Sequence, residues 1–269
     1  MAEPPYAMNQ PSFAEMYERH LVGPLFRPWA EVLLDRVQLG AGDRLLDLAC
    51  GTGIVARLAR DRLGDTGRIV GADLSPLMLS VARTVAPGIE WREANAASLP
   101  FERDEFEVVT CHQGLQFFPD KPAAVREMRR VLVRGGRVAV ATWGALEDAS
   151  CFLALHRVAE RHLGPITDHR HSFGDGTALA GLLADAGFHD VHVERMSRPL
   201  RFDDPATFVR MNAMALVGMS AGGKALTEEQ RGNRAATIAS ESADVLPRFA
   251  DGTGIAFAIT ANVATARAG

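Results

Sequence analysis

Hydrophobic positions along the chain follow two periods, and the change between them divides the sequence. Residues 12–38 repeat apolar side chains at helical spacing and predict two short helices, separated by a break at Gly23 and Pro24. From residue 44 the pattern becomes short apolar runs that alternate with helical segments. The runs predict five strands, at 45–49, 68–73, 89–93, 106–111 and 137–143, with helices at about 53–63, 76–86 and 121–133.

Five buried strands separated by helices are typical of a doubly wound, mostly parallel sheet with right-handed crossovers. Sheets of this kind bind ligands at the carboxyl ends of their strands. Beyond residue 143 the pattern predicts helices at 150–163, 177–186 and 205–219 and strands at 189–196 and 254–264. A polar segment at 220–234, followed by another helix, lies between the helix at 205–219 and the strand at 254–264.

Composition and charge exclude several classes of protein. The 269 residues are 47% hydrophobic and 23% charged, which is typical of a globular enzyme and argues against disorder. A net charge of −4 argues against a nucleic-acid or anionic-membrane partner. Residues 1–10 lack the pattern of a signal peptide, and no run reaches about 18 apolar residues, so we expect no membrane span and a cytoplasmic location.

The three cysteines, Cys50, Cys111 and Cys151, are far apart in the sequence and lie in no Cys-x-x-Cys motif. They indicate neither a disulfide framework nor a zinc site. The segment Asp168-His169-Arg170-His171 suggests a metal site, but no third ligand follows at helical spacing, so we predict a solvated loop and no metal.

The clearest chemical signal is an apolar strand, residues 45–48, that runs into the turn Ala49-Cys50-Gly51-Thr52-Gly53 at the start of a helix. Glycines let a ligand approach the backbone, and the helix N-terminus supplies N–H donors and partial positive charge. Twenty residues after Gly53, Asp73 ends the second strand, where a carboxylate can accept both hydroxyls of a ribose. A nucleotide-like ligand is therefore expected at this edge of the sheet.

The glycine segment also satisfies the relaxed Gly-x-Gly-x-x-Gly/Ala pattern, so an NAD(P)-dependent oxidoreductase is an alternative. Three features argue against it. Asp47 lies inside the strand ahead of the glycines, about 40 residues precede that strand, and the chain closes with a strand after a helical insertion.

Five motifs in register make the chain resemble a class I S-adenosylmethionine (SAM)-dependent methyltransferase of the UbiE/type 11 group, whose members act on small molecules. They cover roughly residues 40–143 and are Asp-Leu-Ala-Cys-Gly-Thr-Gly at 47–53, Ala-Asp-Leu-Ser-Pro-Leu-Met-Leu at 72–79, Asn-Ala-Ala-Ser-Leu-Pro-Phe at 95–101, Phe-Glu-Val-Val-Thr-Cys at 106–111 and Leu-Val-Arg-Gly-Gly-Arg at 132–137. The resemblance implies a Rossmann-like α/β fold, a seven-stranded doubly wound sheet with an antiparallel last strand. It also implies a single domain, with an N-terminal helical cover (1–40), a SAM-binding core (41–145) and a substrate-side half (146–269) that carries a helical lid insertion at 203–247.

The resemblance also assigns residues to SAM. Asp47, Ala49, Gly51 and Gly53 would hold its methionine part, Asp73 its ribose, Leu74 and Met78 its adenine face, and Asn95 and Ala96 its adenine edge. Ala49 and Asn95 depart from the glycine and aspartate common in the family, yet an Asn oxygen can still accept from the adenine amine. We expect cofactor binding to survive both departures. Tyr17 would fold over the SAM carboxylate as a lid, or be an ordinary half-buried tyrosine.

Candidate substrate residues follow the fourth strand and lie in the insertion. His112 is either a general base or only lines the SAM pocket, and Gln113 is also expected to line that pocket. Gln113 and Gln116 orient substrate or cap the next helix, and Phe117 lines the cavity or belongs to the core. The helix at 205–219 is apolar on nearly every face, so Phe208, Met211 and Met214 are expected to border a cavity for a bulky ligand.

Taken together, the sequence predicts methyl transfer from SAM to an oxygen, or to a carbon or nitrogen, of a small and largely apolar acceptor such as a quinone-like or polyketide-like aromatic. S-adenosylhomocysteine would be the other product. A non-catalytic SAM-binding protein is a second alternative, and the chain is expected to be a monomer or a homodimer.

Overall fold

The structure, a computed structural model, describes residues 11–269, so the expectation about residues 1–10 lies outside the described residues. The α-helices are α1 (Pro11–Tyr17), α2 (Arg27–Val37), α3 (Ile54–Leu63), α4 (Pro76–Val85), α5 (Lys121–Val131), α6 (Ser150–Leu163), α7 (Gly176–Asp185), α8 (Pro205–Met219), α9 (Ala221–Lys224) and α10 (Glu228–Ser242). The strands are β1 (Arg44–Leu48), β2 (Arg68–Asp73), β3 (Glu90–Glu93), β4 (Phe106–His112), β5 (Leu132–Trp143), β6 (Phe188–Phe202), β7 (Ala250–Asp251) and β8 (Gly254–Ala268).

Seven strands form the main sheet in the order β3-β2-β1-β4-β5-β8-β6, and the two-residue β7 pairs with β8 beside this path. Strands β1 to β5 are parallel, whereas β8 runs antiparallel to both β5 and β6. The strand order reverses between β1 and β4, and ligands of such sheets bind beyond the carboxyl ends at this point. The predicted Rossmann-like sheet with an antiparallel last strand is confirmed.

Helices cover both faces of the sheet, because successive strand residues point to opposite sides. In β1, Leu45 belongs to the core beneath α2, α3 and α4, and Leu46 belongs to the core beneath α5 and α7. Helix α8 packs against α6 and α10 in a further cluster. The three cysteines are free and buried, in the turn after β1, in β4 and in α6.

The N-terminal region differs from its prediction, because no break separates its helices. Residues 18–26 form a π-helical segment that joins α1 to α2, and Pro24 lies inside it. Proline cannot donate a backbone hydrogen bond, and its ring crowds the carbonyl four residues earlier. The wider turn relieves this conflict, since the N–H of Arg27 donates to the carbonyl oxygen of Val22, five residues back.

The predicted polar segment at 220–234 is also largely helical. Helix α9 occupies its start, and α10 begins at Glu228 with a capping box in which Thr227 and Gln230 exchange side-chain and backbone hydrogen bonds. Caps of this kind stabilise a helix start that hydrophobic periodicity does not reveal. Within residues 11–269, no helix is both long and apolar enough to cross a membrane.

Candidate active site

The turn after β1 has an unusual backbone that Asp73 holds in place. Ala49, Gly51 and Gly53 all have positive φ angles, of 55°, 56° and 87°. The Gly51 N–H donates to Asp73 Oδ2 at 2.8 Å, and the Ser75 N–H donates to Asp73 Oδ1 at 2.8 Å. A carboxylate has about four acceptor positions, so Asp73 can still accept hydrogen bonds from a ligand. The end of β2 therefore fixes the turn and still presents acceptors.

Ala49 occupies a left-handed conformation that normally favours glycine, and the neighbouring loop accommodates its methyl group. A Cβ on Gly114 would lie 2.4 Å from the Ala49 Cβ. The loops after β1 and β4 therefore touch at this point, and the clearance that the Ala49 methyl needs comes from Gly114.

Two residues predicted to bind SAM, Asp47 and Gly53, lie outside the cavity wall. Asp47 is 1% exposed and accepts hydrogen bonds from the Ala56 N–H at 3.1 Å and the Thr110 hydroxyl at 3.1 Å. Burial raises the pKa of Asp47 to about 7, although these two hydrogen bonds oppose the shift. A Cβ on Gly53 would lie 2.2 Å from the Trp91 ring, so this glycine makes room for an indole.

A cavity of about 280 Å³ lies at the carboxyl ends of β1, β2 and β4. Most of the predicted binding residues line it, namely Tyr17, Ala49, Gly51, Asp73, Leu74, Met78, Asn95, Ala96, His112, Gln113, Phe117, Phe208 and Met211. Gln116 and Met214 do not, since Gln116 is buried behind Gln113 and Met214 packs against other clusters.

Tyr17 packs over the turn after β1, beside Gly51. Its hydroxyl lies 3.8 Å from the position that a Gly51 Cβ would take, and its ring centroid is 4.9 Å from that of Phe26. Burial, and then the nearby charge of Asp73, raise the pKa of the Tyr17 phenol, so the group stays protonated. This placement supports the predicted cover, and its contact with a SAM carboxylate stays a prediction.

Buried polar atoms without partners mark the wall near β4. His112 Nε2 and Gln113 Nε2 have no hydrogen-bond partner among the described residues, while Gln116 Nε2 donates to Gln113 Oε1 at 3.3 Å. Burial lowers the pKa of His112 to about 3, so its ring is neutral at pH 7. Native proteins rarely leave buried polar atoms unpaired, and this pair therefore suits a polar ligand.

The predicted solvated loop at 168–171 is wrong, because this segment forms part of the cavity wall. Asp168 and His171 are buried, and Arg170 and His171 line the cavity. Arg170 Nε lies 2.8 Å from Asp168 Oδ1 and Arg170 Nη2 lies 2.6 Å from Asp168 Oδ2. Burial raises the pKa of Asp168, but the Arg170 guanidinium outweighs this effect and holds it at about 2.

Helix α8 connects this turn to the rest of the wall. Arg170 Nη1 donates to Asn212 Oδ1 at 2.8 Å, and the guanidinium lies 5.2 Å from the centroid of the Phe152 ring.

No group of three or more His, Cys, Asp or Glu residues in the described chain can hold a metal ion. The sequence does not identify several other lining residues, which include Leu21, Leu25, Phe26, Trp143, Phe152, Asn212, Ala215 and Ile259. Only the tertiary fold brings these side chains together.

Comparison with known proteins agrees with this geometry. Residues 46–140 match a family model described as a methyltransferase domain. A 2-phytyl-1,4-naphtoquinone methyltransferase of Thermosynechococcus vestitus is 34% identical over 197 residues, which are 66% of this chain and 88% of that protein. The ubiquinone/menaquinone biosynthesis C-methyltransferase UbiE of Xanthomonas campestris is 31% identical over 193 residues, 64% of this chain and 76% of that protein.

Solved structures share the fold. The YcgJ protein of Bacillus subtilis has a TM-score of 0.58 at 20% identity, and the match covers 88% of this chain and 97% of that one. A Haemonchus contortus phosphoethanolamine N-methyltransferase 2 in complex with SAM has a TM-score of 0.60 at 19% identity. The match covers 96% of this chain and 57% of that one. With its glycine turn, its acidic partner and these relatives, the chain belongs to the class I SAM-dependent methyltransferases of the UbiE type.

Proposed function

We propose that this SAM-dependent methyltransferase acts on a small, largely apolar aromatic acceptor that carries a ring hydroxyl, in the manner of a reduced quinone. The observation that carries the proposal is the composition of the cavity, which joins an acidic, glycine-lined end to an aromatic end. Trp143, Phe152, Phe208 and Met211 line the aromatic end and are buried. Rings and methionines of this kind suit a flat apolar ligand.

The acidic end fits SAM. Asp73 keeps acceptor positions that suit the two ribose hydroxyls, and Leu74 and Met78 line the wall where an adenine face would pack. Asn95 Oδ1 already accepts from the Ala97 N–H at 3.0 Å and has a second lone pair for the adenine amine. Asp47 would act from behind the wall, by fixing the start of α3 and the strand β4.

When bound, SAM supplies a methyl group on a positively charged sulfur and leaves as S-adenosylhomocysteine. The chain contributes alignment and exclusion of water, which an in-line displacement requires more than it requires a strong base. Tyr17 and Phe26 cover the turn after β1, while Phe152 and Phe208 enclose the acceptor end. Because residues from α1 to β8 line one cavity, we propose that the chain acts as one catalytic unit.

The methylated atom follows from the relatives more than from the cavity. An ionised phenol can react at its oxygen or at a ring carbon, and the UbiE relative is named a C-methyltransferase. We therefore favour a ring carbon over the oxygen that the sequence predicts. Mass spectrometry and NMR of the methylated product distinguish an aryl methyl from a methoxy group.

Calorimetric titration tests the cofactor. SAM and S-adenosylhomocysteine should bind, whereas NADH and NADPH should not. Asp73→Asn should weaken SAM binding about 100-fold, since two hydrogen bonds to a charged acceptor contribute about 1.5–3 kcal/mol each and the amide keeps part of them. Circular dichroism and thermal unfolding show whether the variant still folds. Unchanged affinity in a folded Asp73→Asn protein would contradict the assignment.

Release of S-adenosylhomocysteine tests the acceptor. Under anaerobic conditions, alkylated dihydroxynaphthalenes should support turnover, and saturated diols of similar size should not. Binding of SAM without turnover on any aromatic of the series would favour a non-catalytic SAM-binding protein, and binding of NADH with hydride transfer would favour an oxidoreductase.

A further inference from the structure

The tautomer of His171 is fixed by its backbone partner. Its Nδ1 lies 2.8 Å from the carbonyl oxygen of Gly144, which can only accept a hydrogen bond. Nδ1 therefore carries the proton, and Nε2 is left with a basic lone pair. No described residue bonds to Nε2, although the ring lines the cavity.

The surroundings hold this ring rigidly. Its centroid lies 5.8 Å from that of Phe152, and the next residue, Ser172, donates through its hydroxyl to the carbonyl oxygens of His169 at 2.9 Å and Gln116 at 3.4 Å. The turn at 169–171 thus packs beside the loop that follows β4. Packing and hydrogen bonds of this kind are what a catalytic side chain needs in order to keep its orientation.

Asn212 is oriented by the same cluster. Its Oδ1 accepts from Arg170 Nη1, and because a guanidinium can only donate, the amide cannot be reversed. The Nδ2 group then has no hydrogen bond to a described residue, and Asn212 lines the cavity. Arg170 is neutralised by Asp168, so the cluster presents an acceptor at His171 and a donor at Asn212 without a net charge.

We infer that His171 is the general base of the reaction, with Nε2 accepting the proton of the acceptor's ring hydroxyl while Asn212 Nδ2 donates to an oxygen of the same ring. This inference rests on the proposed function. The hydroxyl proton goes to Nε2, and the electron pair that it leaves forms the new bond to the methyl carbon. The pair of the broken methyl–sulfur bond stays on the sulfur. If a ring carbon is methylated, the pair reaches that carbon through the ring; the carbon then loses its own proton to water, and Nε2 returns its proton to the ring oxygen.

His112 is the competing base from the sequence. No hydrogen bond in the described chain fixes its tautomer, and burial lowers its pKa to about 3, which makes it a weak proton acceptor. For His171, burial and then the Arg170 charge lower the pKa below 6.5, while Asp168 and the Gly144 carbonyl oppose the shift and His156 adds to it slightly. His171 is therefore neutral at pH 7, and its Nε2 is free to accept a proton.

Kinetics with acceptors of graded acidity test the inference. His171→Asn keeps a donor for the Gly144 carbonyl but removes Nε2, so kcat should fall about 100-fold or more with an ordinary phenol. With a nitro-substituted phenol that is already ionised at the assay pH, the loss should shrink to a few-fold. In the wild type, kcat/KM should fall as the pH drops through the His171 pKa below 6.5, and His171→Asn should lack this limb. The exposed His192→Asn is the matched control and should behave as the wild type.

Nitrogen NMR of histidine-labelled protein provides a readout without turnover. In the full chain at pH 7, the signal absent from His171→Asn should show protonated Nδ1 and unprotonated Nε2. The opposite tautomer would overturn the inference, and so would an equal loss of kcat in His171→Asn with acidic and ordinary phenols. In either case, wild-type turnover on phenols would still uphold the proposed function. Absence of wild-type turnover on every phenol would overturn both.

Discussion

A single indole ring explains two glycines of the SAM-binding core. A Cβ on Gly53 would lie 2.2 Å from Trp91, and a Cβ on Gly71 would also lie 2.2 Å from it. Trp91 is anchored because its Nε1 donates to the carbonyl oxygen of Ala86 at 3.0 Å. Gly53 therefore has two constraints, its positive φ and this contact, and neither involves a ligand directly.

Gly53→Ala should be far more destabilising than a substitution that has only the backbone constraint. Gly187 provides the control, since its φ of +86° is close to the +87° of Gly53 but nothing lies within 4 Å of its Cβ position. We expect Gly53→Ala to lower the free energy of unfolding by about 1–3 kcal/mol more than Gly187→Ala, because of overpacking against Trp91. Urea unfolding measures both, and equal losses would show that Trp91 moves away freely.

Asp47 makes stability depend on pH. Its pKa is about 7 in the folded chain, above the usual value of 3.8, so the folded state binds a proton that the unfolded state has released. The contribution of this group is complete below pH 4 and is lost as the pH rises to about 7. In Asp47→Asn the decline between pH 5 and 8 should be smaller than in the wild type. Thermal unfolding without SAM measures this decline in stability. Identical pH profiles of Asp47→Asn and the wild type would refute a raised pKa of Asp47.

At this scale the sequence predicted the residues whose role is local. The conformation of the glycine turn and the position of Asp73 depend on residues close to them in the sequence, so their motif can be recognised from the sequence alone. The roles of Arg170 and His171 depend on Asn212, Gly144 and Phe152, which approach only when the chain folds. No spacing rule joins these positions, which is why the sequence predicts a solvated loop here.

At the scale of elements, the start of α10 shows how a cap decides secondary structure in a polar stretch. Thr227 Oγ1 accepts from the Gln230 N–H at 3.3 Å, and Gln230 Oε1 accepts from the Thr227 N–H at 2.9 Å. The helix then packs on α8 through Ala235 and Ile238. The sequence predicts a helix after residue 234, but the polar composition of 220–234 conceals the first half of α10, because its buried side is narrow.

Thr227→Ala should lower the free energy of unfolding by about 1 kcal/mol, since it removes the side-chain half of the cap. Thr237→Ala, in the middle of the same helix, removes only a bond from its hydroxyl to the carbonyl oxygen of Asn233 and should change stability by less than about 0.5 kcal/mol. Chemical denaturation of both variants provides the measurement. A loss at Thr237 as large as that at Thr227 would contradict the capping argument.

At the scale of the whole molecule, the cavity is assembled from segments far apart in the sequence. The π-helical segment contributes Leu21 and Leu25, the loops after β1, β2 and β4 contribute the end proposed to hold SAM, and α8 contributes Phe208 and Met211. The sheet and its ligand edge could be predicted, because strand periodicity and βα order are encoded locally. The closure of the cavity could not, because it depends on how α8 and the turn at 169–171 dock.

Because a ligand in this cavity would contact several of these segments at once, SAM should stabilise the entire fold. At a concentration 100 times its Kd, a ligand that binds only the native state adds about 2.7 kcal/mol, which corresponds to roughly 5–10 °C in Tm for a chain of this size. S-adenosylhomocysteine should have a similar effect, and NADH should have none. Differential scanning fluorimetry measures these changes in Tm. An increase in Tm with NADH alone would contradict the assignment of SAM as the cofactor.

The buried cysteines provide a native reporter of opening. Cys50, Cys111 and Cys151 are all buried, and burial raises the pKa of each thiol, so an alkylating reagent meets almost no thiolate while the chain is closed. Their labelling rates therefore measure how often the turn after β1, the strand β4 and the helix α6 separate from their neighbours. Peptide mass spectrometry can then resolve whether these three regions open together or one at a time, with no engineered label.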